Sequence, residues 1–168
     1  MEVNQKSILY LIANEFGLNR KGMEQRLRLQ KTIYLLIADG MQLGYGFGWY
    51  KYGPYSQDLV YDAYAVLGAE KEAYKEGTEG WKFSEKSKEK IEAFKEKFKD
   101  VLDNPAKLEL LASVDFIFST WCEQKIEQSA FVEKFKKYKR RLYNEKKDIS
   151  DEKIKEALER CIKEFHNN

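Results

Sequence analysis

Apolar residues recur at intervals of three and four through most of the chain, the period of an α-helix that buries one face. Ile8, Leu11, Ile12 and Phe16 make the first stripe, with Asn4 placed to cap it and Gly17 to stop it. A second helix is predicted from about Glu24 to Asp39. Leu29, Ile33, Leu36 and Ile37 form its inward face, and Gly40 supplies a left-handed cap. The period then changes: Phe47, Trp49 and Tyr50 to Tyr52, within Gly44–Gly53, read as a short aromatic strand. Pro54 is expected to open a third helix, whose inner face is Tyr55, Leu59, Ala63, Val66 and Leu67.

Residues 72–83 have the form of a hairpin, with Ala73-Tyr74-Lys75 and Trp81-Lys82-Phe83 joined by a segment containing Gly77 and Gly80. Beyond it the chain is nearly free of helix breakers. Ser84 caps a helix through Ile91, Phe94, Phe98 and Leu102; Asn104-Pro105 starts another with Leu108, Leu111, Ala112, Asp115 and Phe116. Phe131, Phe135, Tyr138 and Leu142 mark the next, and Ser150 caps a last one through Ile154, Leu158, Ile162 and Phe165. The expected fold is mainly α with a small antiparallel sheet (α+β). Residues 1–102 follow the element order of a winged helix, with a three-stranded sheet and a two-stranded wing, and residues 103–168 form a helical lobe packed on it.

Composition narrows the class. Of 168 residues, 43% are hydrophobic and 35% charged, enough apolar content for a core and too much for wholesale disorder. Thirty Lys and Arg against 28 Asp and Glu leave a charge of +2, which excludes a bulk polycation. Two Cys make no disulfide framework, and no apolar run is long enough for a membrane span or a leader. A cytoplasmic protein without membrane association is expected. Aromatic residues stand out, with 11 Tyr, 10 Phe and 3 Trp.

Chemistry is sparse. The one His, His166, is expected in a frayed tail, and Cys122 and Cys161 sit among apolar neighbours as inert small hydrophobes. Neither a His pair nor a CxxC suggests a metal. Asp58 and Asp62 lie one helical turn apart, a spacing common on solvated faces. Gly44-Tyr45-Gly46-Phe47-Gly48 leads into a strand, whereas a phosphate cradle needs a helix N-terminus behind it. The reading is of a non-enzyme without a cofactor.

A winged helix would ordinarily read DNA through its third helix. Residues 55–67 contain no Lys or Arg; Gln57, Val60, Tyr61 and Tyr64 face outward beside Asp58 and Asp62, and phosphates would be repelled. With Tyr55 and Asp58, these positions suit a protein partner, since Tyr offers large contact area with few torsions to freeze. A basic block lies elsewhere. Residues 129–147 carry a local +6 that includes Lys136, Lys137, Lys139, Arg140 and Arg141, candidates for phosphate contact in an alternative, DNA-binding regulator. Such a run is also the usual solvated face of an amphipathic helix. Arg20, Lys21, Arg26, Arg28 and Lys31 form a smaller basic group. The aromatic excess is compatible with a homodimer.

The helix segment 26–36, with Leu29, Gln30, Lys31 and Tyr34, is followed by Gly44-Tyr45, Phe47, Trp49-Tyr50 and Tyr52-Gly53-Pro54-Tyr55-Ser56. Over about residues 26–60, roughly a fifth of the chain, this resembles the YwgA-like bacterial and archaeal proteins and, more distantly, the Panacea domain of SocA-like antitoxins. The resemblance implies a small helical module of phage or mobile-element context that binds a protein, either a toxin or a client handed to a protease. On physical grounds, the Gln30 amide can satisfy backbone where the second helix meets the strand. Lys31 would point to solvent or to a carboxylate such as Asp58. Gly53-Pro54 would make an abrupt strand-to-helix corner.

Overall fold

A computed structural model of the chain describes residues 1–122, 125–143 and 149–167, with the side chains of 141–143 outside that set. Eight α-helices and two short strands run among these residues in the order α1 (Gln5–Glu15), α2 (Gly22–Ala38), β1 (Gly48–Tyr50), β2 (Gly53–Tyr55), α3 (Gln57–Tyr64), α4 (Lys71–Gly77), α5 (Glu85–Leu102), α6 (Pro105–Trp121), α7 (Gln128–Tyr143) and α8 (Asp151–Cys161). The expectation of a mainly helical fold with a small antiparallel sheet holds. Caps fall where side-chain chemistry places them: Asn4, Ser84, Asn104 and Ser150 each accept a backbone N–H of the first turn that follows.

Helix α6 is the hub. It packs on α2, α5, α7, α8 and β2, because its sequence is apolar nearly all round, from Leu108 to Phe118. One hydrophobic cluster joins Ile12, Ile33 and Leu36 to Phe94, Phe98, Ile117, Phe131 and Leu158. It therefore runs through both the 1–102 and the 103–168 parts.

Two expectations are corrected. The hairpin at 72–83 is instead helix α4 and a following turn. Glu72, Ala73, Lys75 and Glu76 are good helix formers, Tyr74 buries against Tyr10, and the Thr78 hydroxyl donates to the Tyr74 carbonyl at the helix end. Gly77 and Gly80 therefore close a helix rather than bend a wing. The winged-helix order loses its wing, and the sheet has two strands. Second, Pro54 does not open α3. It lies in β2, paired with Trp49, while Ser56 caps α3 by accepting from the Leu59 N–H at 3.3 Å. Past Tyr64 the helix widens into a π-helical turn, Ala65–Ala69.

The single histidine is likewise not in a frayed tail. α8 continues as a π-helical turn over 162–166, which sets the His166 ring edge-on to Phe118 with centroids 5.0 Å apart.

Candidate functional site

The motif residues converge where α2 meets the β1–β2 hairpin. Gln30 is buried and uses both ends of its amide on one residue: Nε2 donates to the Ser56 carbonyl, and Oε1 accepts from the Ser56 N–H, each at 2.9 Å. This satisfies the buried Ser56 N–H and adds a second donor to its carbonyl, which also accepts from the Val60 N–H of α3 at 3.3 Å. Leu29 is buried beside it.

Lys31 departs from expectation. Instead of reaching solvent or Asp58, it is 2% exposed, and its Nζ donates to the Pro54 carbonyl at 2.6 Å. Burial pushes its pKa down to about 7; Glu109 works against the shift and Lys139 adds to it. Gly53 makes this approach feasible. Its φ is +91°, and a Cβ there would sit 2.2 Å from the Ser113 Oγ of α6. That hydroxyl is itself fully buried without a hydrogen-bond partner.

Behind this layer lies a second polar set. The Tyr34 hydroxyl donates to Asp115 Oδ2 at 2.7 Å, and His166 Nε2 lies 2.8 Å from Asp115 Oδ1. Burial raises the pKa of the Asp115 carboxyl against the opposing pull of Tyr34 and His166. The Tyr34 hydroxyl is raised as well, first by burial and then by Asp115. Tyr34, Asp115 and His166 thus tie α2, α6 and the C-terminal turn together.

In front of Gln30 and Lys31 an open groove of about 520 Å³ runs between α2, the hairpin and α3. Leu27, Leu29, Val60 and Ala63 supply its apolar lining, and Tyr50, Tyr55 and Tyr64 its rings. Tyr50 and Tyr55 face each other across the strands with centroids 5.1 Å apart. The Arg20 guanidinium lies 3.6 Å above the Tyr64 ring, over Gly68, where a Cβ would meet Arg20 Nε at 2.9 Å. Arg26 and Lys51 complete the rim. Tyr50 and Tyr64 remain 58% and 59% exposed.

Of the residues singled out for a protein partner, Tyr55 and Tyr64 therefore line the groove. Gln57, Asp58 and Tyr61 are exposed on α3 outside its lining, Tyr61 by 67%. The helical period explains the division, because Val60, Ala63 and Tyr64 share a face that Tyr61 does not. Asp58 and Asp62 do not act as a pair. Asp62 accepts from the Tyr45 hydroxyl at 2.9 Å and lies 3.9 Å from Lys6, whereas Asp58 is exposed.

The basic block of α7 is also reorganised. Lys139, expected on the solvated basic face, is instead buried and bound to Glu109 at 2.9 Å, with its Nζ 5.7 Å from the Trp49 ring. Lys136 pairs with Asp151. Lys137 and Arg140 are exposed, and with Lys136 and Glu133 they line a shallow depression of about 470 Å³. The side chain of Arg141, together with Lys146 and Lys147, lies outside the described residues. In the smaller basic group, Arg28 is spent on structure, donating to the Leu102, Phe16 and Gly17 carbonyls and to Asp103. The two basic groups line separate depressions.

The Cys161 thiol is buried and raised well above its ordinary pKa by desolvation, and burial raises Cys122 too. Among the described residues no group of His, Cys, Asp and Glu has the arrangement of a metal site, and no helix is long and apolar enough to cross a membrane. Val60, expected on the outward face of the third helix, does line the groove; sequence reasoning missed Met23, Leu27, Tyr50 and Lys51 as members of the site. The alternation of basic and apolar residues at 20–31 was the available signal, but which side faced the hairpin was not legible.

No protein-family model matches the chain, and no match to a curated protein was found.

Proposed function

We propose that this chain is a non-enzymatic, cytoplasmic protein-binding module, antitoxin- or adaptor-like in the manner of the YwgA-like and Panacea-domain proteins its 26–60 segment resembles. The observation that carries the reading is that Tyr50 and Tyr64 on the groove, and Tyr61 beside it on α3, are each more than half exposed on a frame fixed by buried hydrogen bonds. Large rings held in place and left in water are characteristic of interaction surfaces. A non-enzymatic role is supported by the use of the motif's polar groups: Gln30, Lys31 and Tyr34 each hold structure together. Both cysteines are free thiols, in keeping with a reducing compartment.

A photo-cross-linking residue introduced in cells at Tyr61 or Tyr64 tests the reading. One dominant protein adduct is expected from either position and none from a control at exposed Glu89 on α5. Equal adduct patterns at all three positions would overturn it.

A second reading, a DNA-binding regulator, draws on the depression lined by Lys136, Lys137 and Arg140. Burial of Lys139 and the loss of the expected wing reduce the cations it can bring to phosphates. A gel shift with duplex DNA at low salt checks it, and unshifted DNA would remove it.

A further inference from the structure

We propose that the groove between α2, the β1–β2 hairpin and α3 binds an extended acidic peptide segment of the partner protein, a proposal that rests on the protein-binding reading above. The argument is one of charge and shape together. Arg20, Arg26, Lys31 and Lys51 all line the groove, and no Asp or Glu does. Among the described residues Arg20, Arg26 and Lys51 make no ion pair, although 28 acidic residues are spread through the chain. Elsewhere on this surface lysines and arginines are routinely paired, as Lys95 is with Glu15, Lys97 with Asp39 and Arg160 with Asp100. A groove that keeps three unpaired cations on its rim is complementary to carboxylates.

The lining between those cations is apolar and aromatic, with Leu27, Val60, Tyr55 and Tyr64 suited to alternate side chains of an extended chain. At about 520 Å³ it has room for a few residues, not for a folded domain. Two of the cations are already positioned by rings, Arg20 on Tyr64 at 3.6 Å and Lys51 near Tyr52 at 5.4 Å, which lowers the entropy lost on binding. A nucleic acid strand is the other anionic polymer of this kind. The apolar lining of Leu27, Val60 and Ala63 favours a peptide, which sets apolar side chains between its carboxylates, over a strand charged at every step.

The test is selection of 12-residue peptides from a random display library on the full chain, followed by fluorescence polarisation of the selected sequences. The expected result is enrichment of Asp and Glu interleaved with apolar residues. Binding of those peptides should fall about tenfold or more in the Arg26→Glu/Lys51→Glu variant and stay within about twofold in Glu89→Lys. Circular dichroism reports folding, and the milder Arg26→Ser/Lys51→Ser variant gives a second reading of the same loss. The proposal is overturned by selection that yields no acidic peptides, by affinity unchanged in both groove variants, or by a labelled oligothymidine that displaces the peptides and binds more tightly. Its failure is separable from failure of the protein-binding reading. If adducts at Tyr61 and Tyr64 persist in Arg26→Glu/Lys51→Glu, the module stands and the groove is not its contact; if adducts are lost, both hold.

Discussion

The amide of Gln30 and the backbone of Ser56 form a closed two-bond clamp, donor to acceptor in both directions at 2.9 Å. It fixes the strand-to-helix corner to α2 and thereby sets the rear wall of the groove. Replacing Gln30 with Leu keeps the volume approximately but leaves the buried Ser56 N–H unpaired and its C=O with only the Val60 N–H as donor. A loss of about 2–4 kcal/mol is expected in urea unfolding. Glu at this position retains only the acceptor and should be similarly poor at neutral pH. A Gln30→Leu variant as stable as wild type would show that water satisfies the corner.

Gly53 is constrained twice, by its backbone and by its neighbour. Gly53→Ala should destabilise by about 2–4 kcal/mol, since φ is +91° and the added methyl collides with Ser113 Oγ. Ser113→Ala alone removes a buried hydroxyl without a partner and should be neutral or stabilising. The double variant is expected to be less damaged than the two singles added together, with coupling of about 1 kcal/mol or more. Additive effects would mean that backbone strain alone accounts for the glycine.

Lys31 makes stability depend on pH in a defined window. Its folded pKa is about 7 against an ordinary 10.5, so the unfolded chain binds more protons between those values. Stability therefore rises with pH from about 7 toward 10, with a slope of at most ~1.4 kcal/mol per pH unit from this group. Below pH 7 both states carry the proton, and the cost of burying the charge is felt in full. Lys31→Met should flatten the difference between urea midpoints at pH 6.5 and pH 9.5. Equal pH dependence in the two proteins would count against a desolvated lysine here.

The Tyr34–Asp115–His166 chain should behave as a unit. Tyr34→Phe and His166→Ala each deprive Asp115 of one partner, and each is expected to cost about 1–2 kcal/mol. Hydrogen exchange is the sharper readout: His166→Ala should speed exchange in residues 158–167 first, because α8 and its π-helical end lose their tether to α6. Unchanged exchange there would indicate that Phe165, stacked on Phe98 at 5.5 Å, holds the segment alone.

Much of the helical frame was legible along the chain, and the reason is local. Caps at Asn4, Ser84, Asn104 and Ser150, and stripes such as Ile91-Phe94-Phe98-Leu102, depend on interactions within a turn or two. The role of Gln30 could also be anticipated, since a buried amide beside a strand-to-helix corner has backbone to satisfy. At 72–83 two glycines and flanking aromatics have the local look of a hairpin, while Glu72, Ala73, Lys75 and Glu76 favour the helix that forms. Burial of Tyr74 against Tyr10, a contact between distant parts of the chain, favoured the helix.

By itself, then, the amino-acid order determined where most of the helices begin, end and turn their apolar faces. Only the tertiary structure decided what opposes each face. Lys31 is held inward because β2 brings the Pro54 carbonyl within 2.6 Å and α6 brings Glu109 near, compensations absent from its own helix. Lys139 is withdrawn from the basic block for the same reason, by Glu109 and Trp49. A charged side chain is buried or exposed according to the sum of desolvation and distant partners, and that sum has no local period to read.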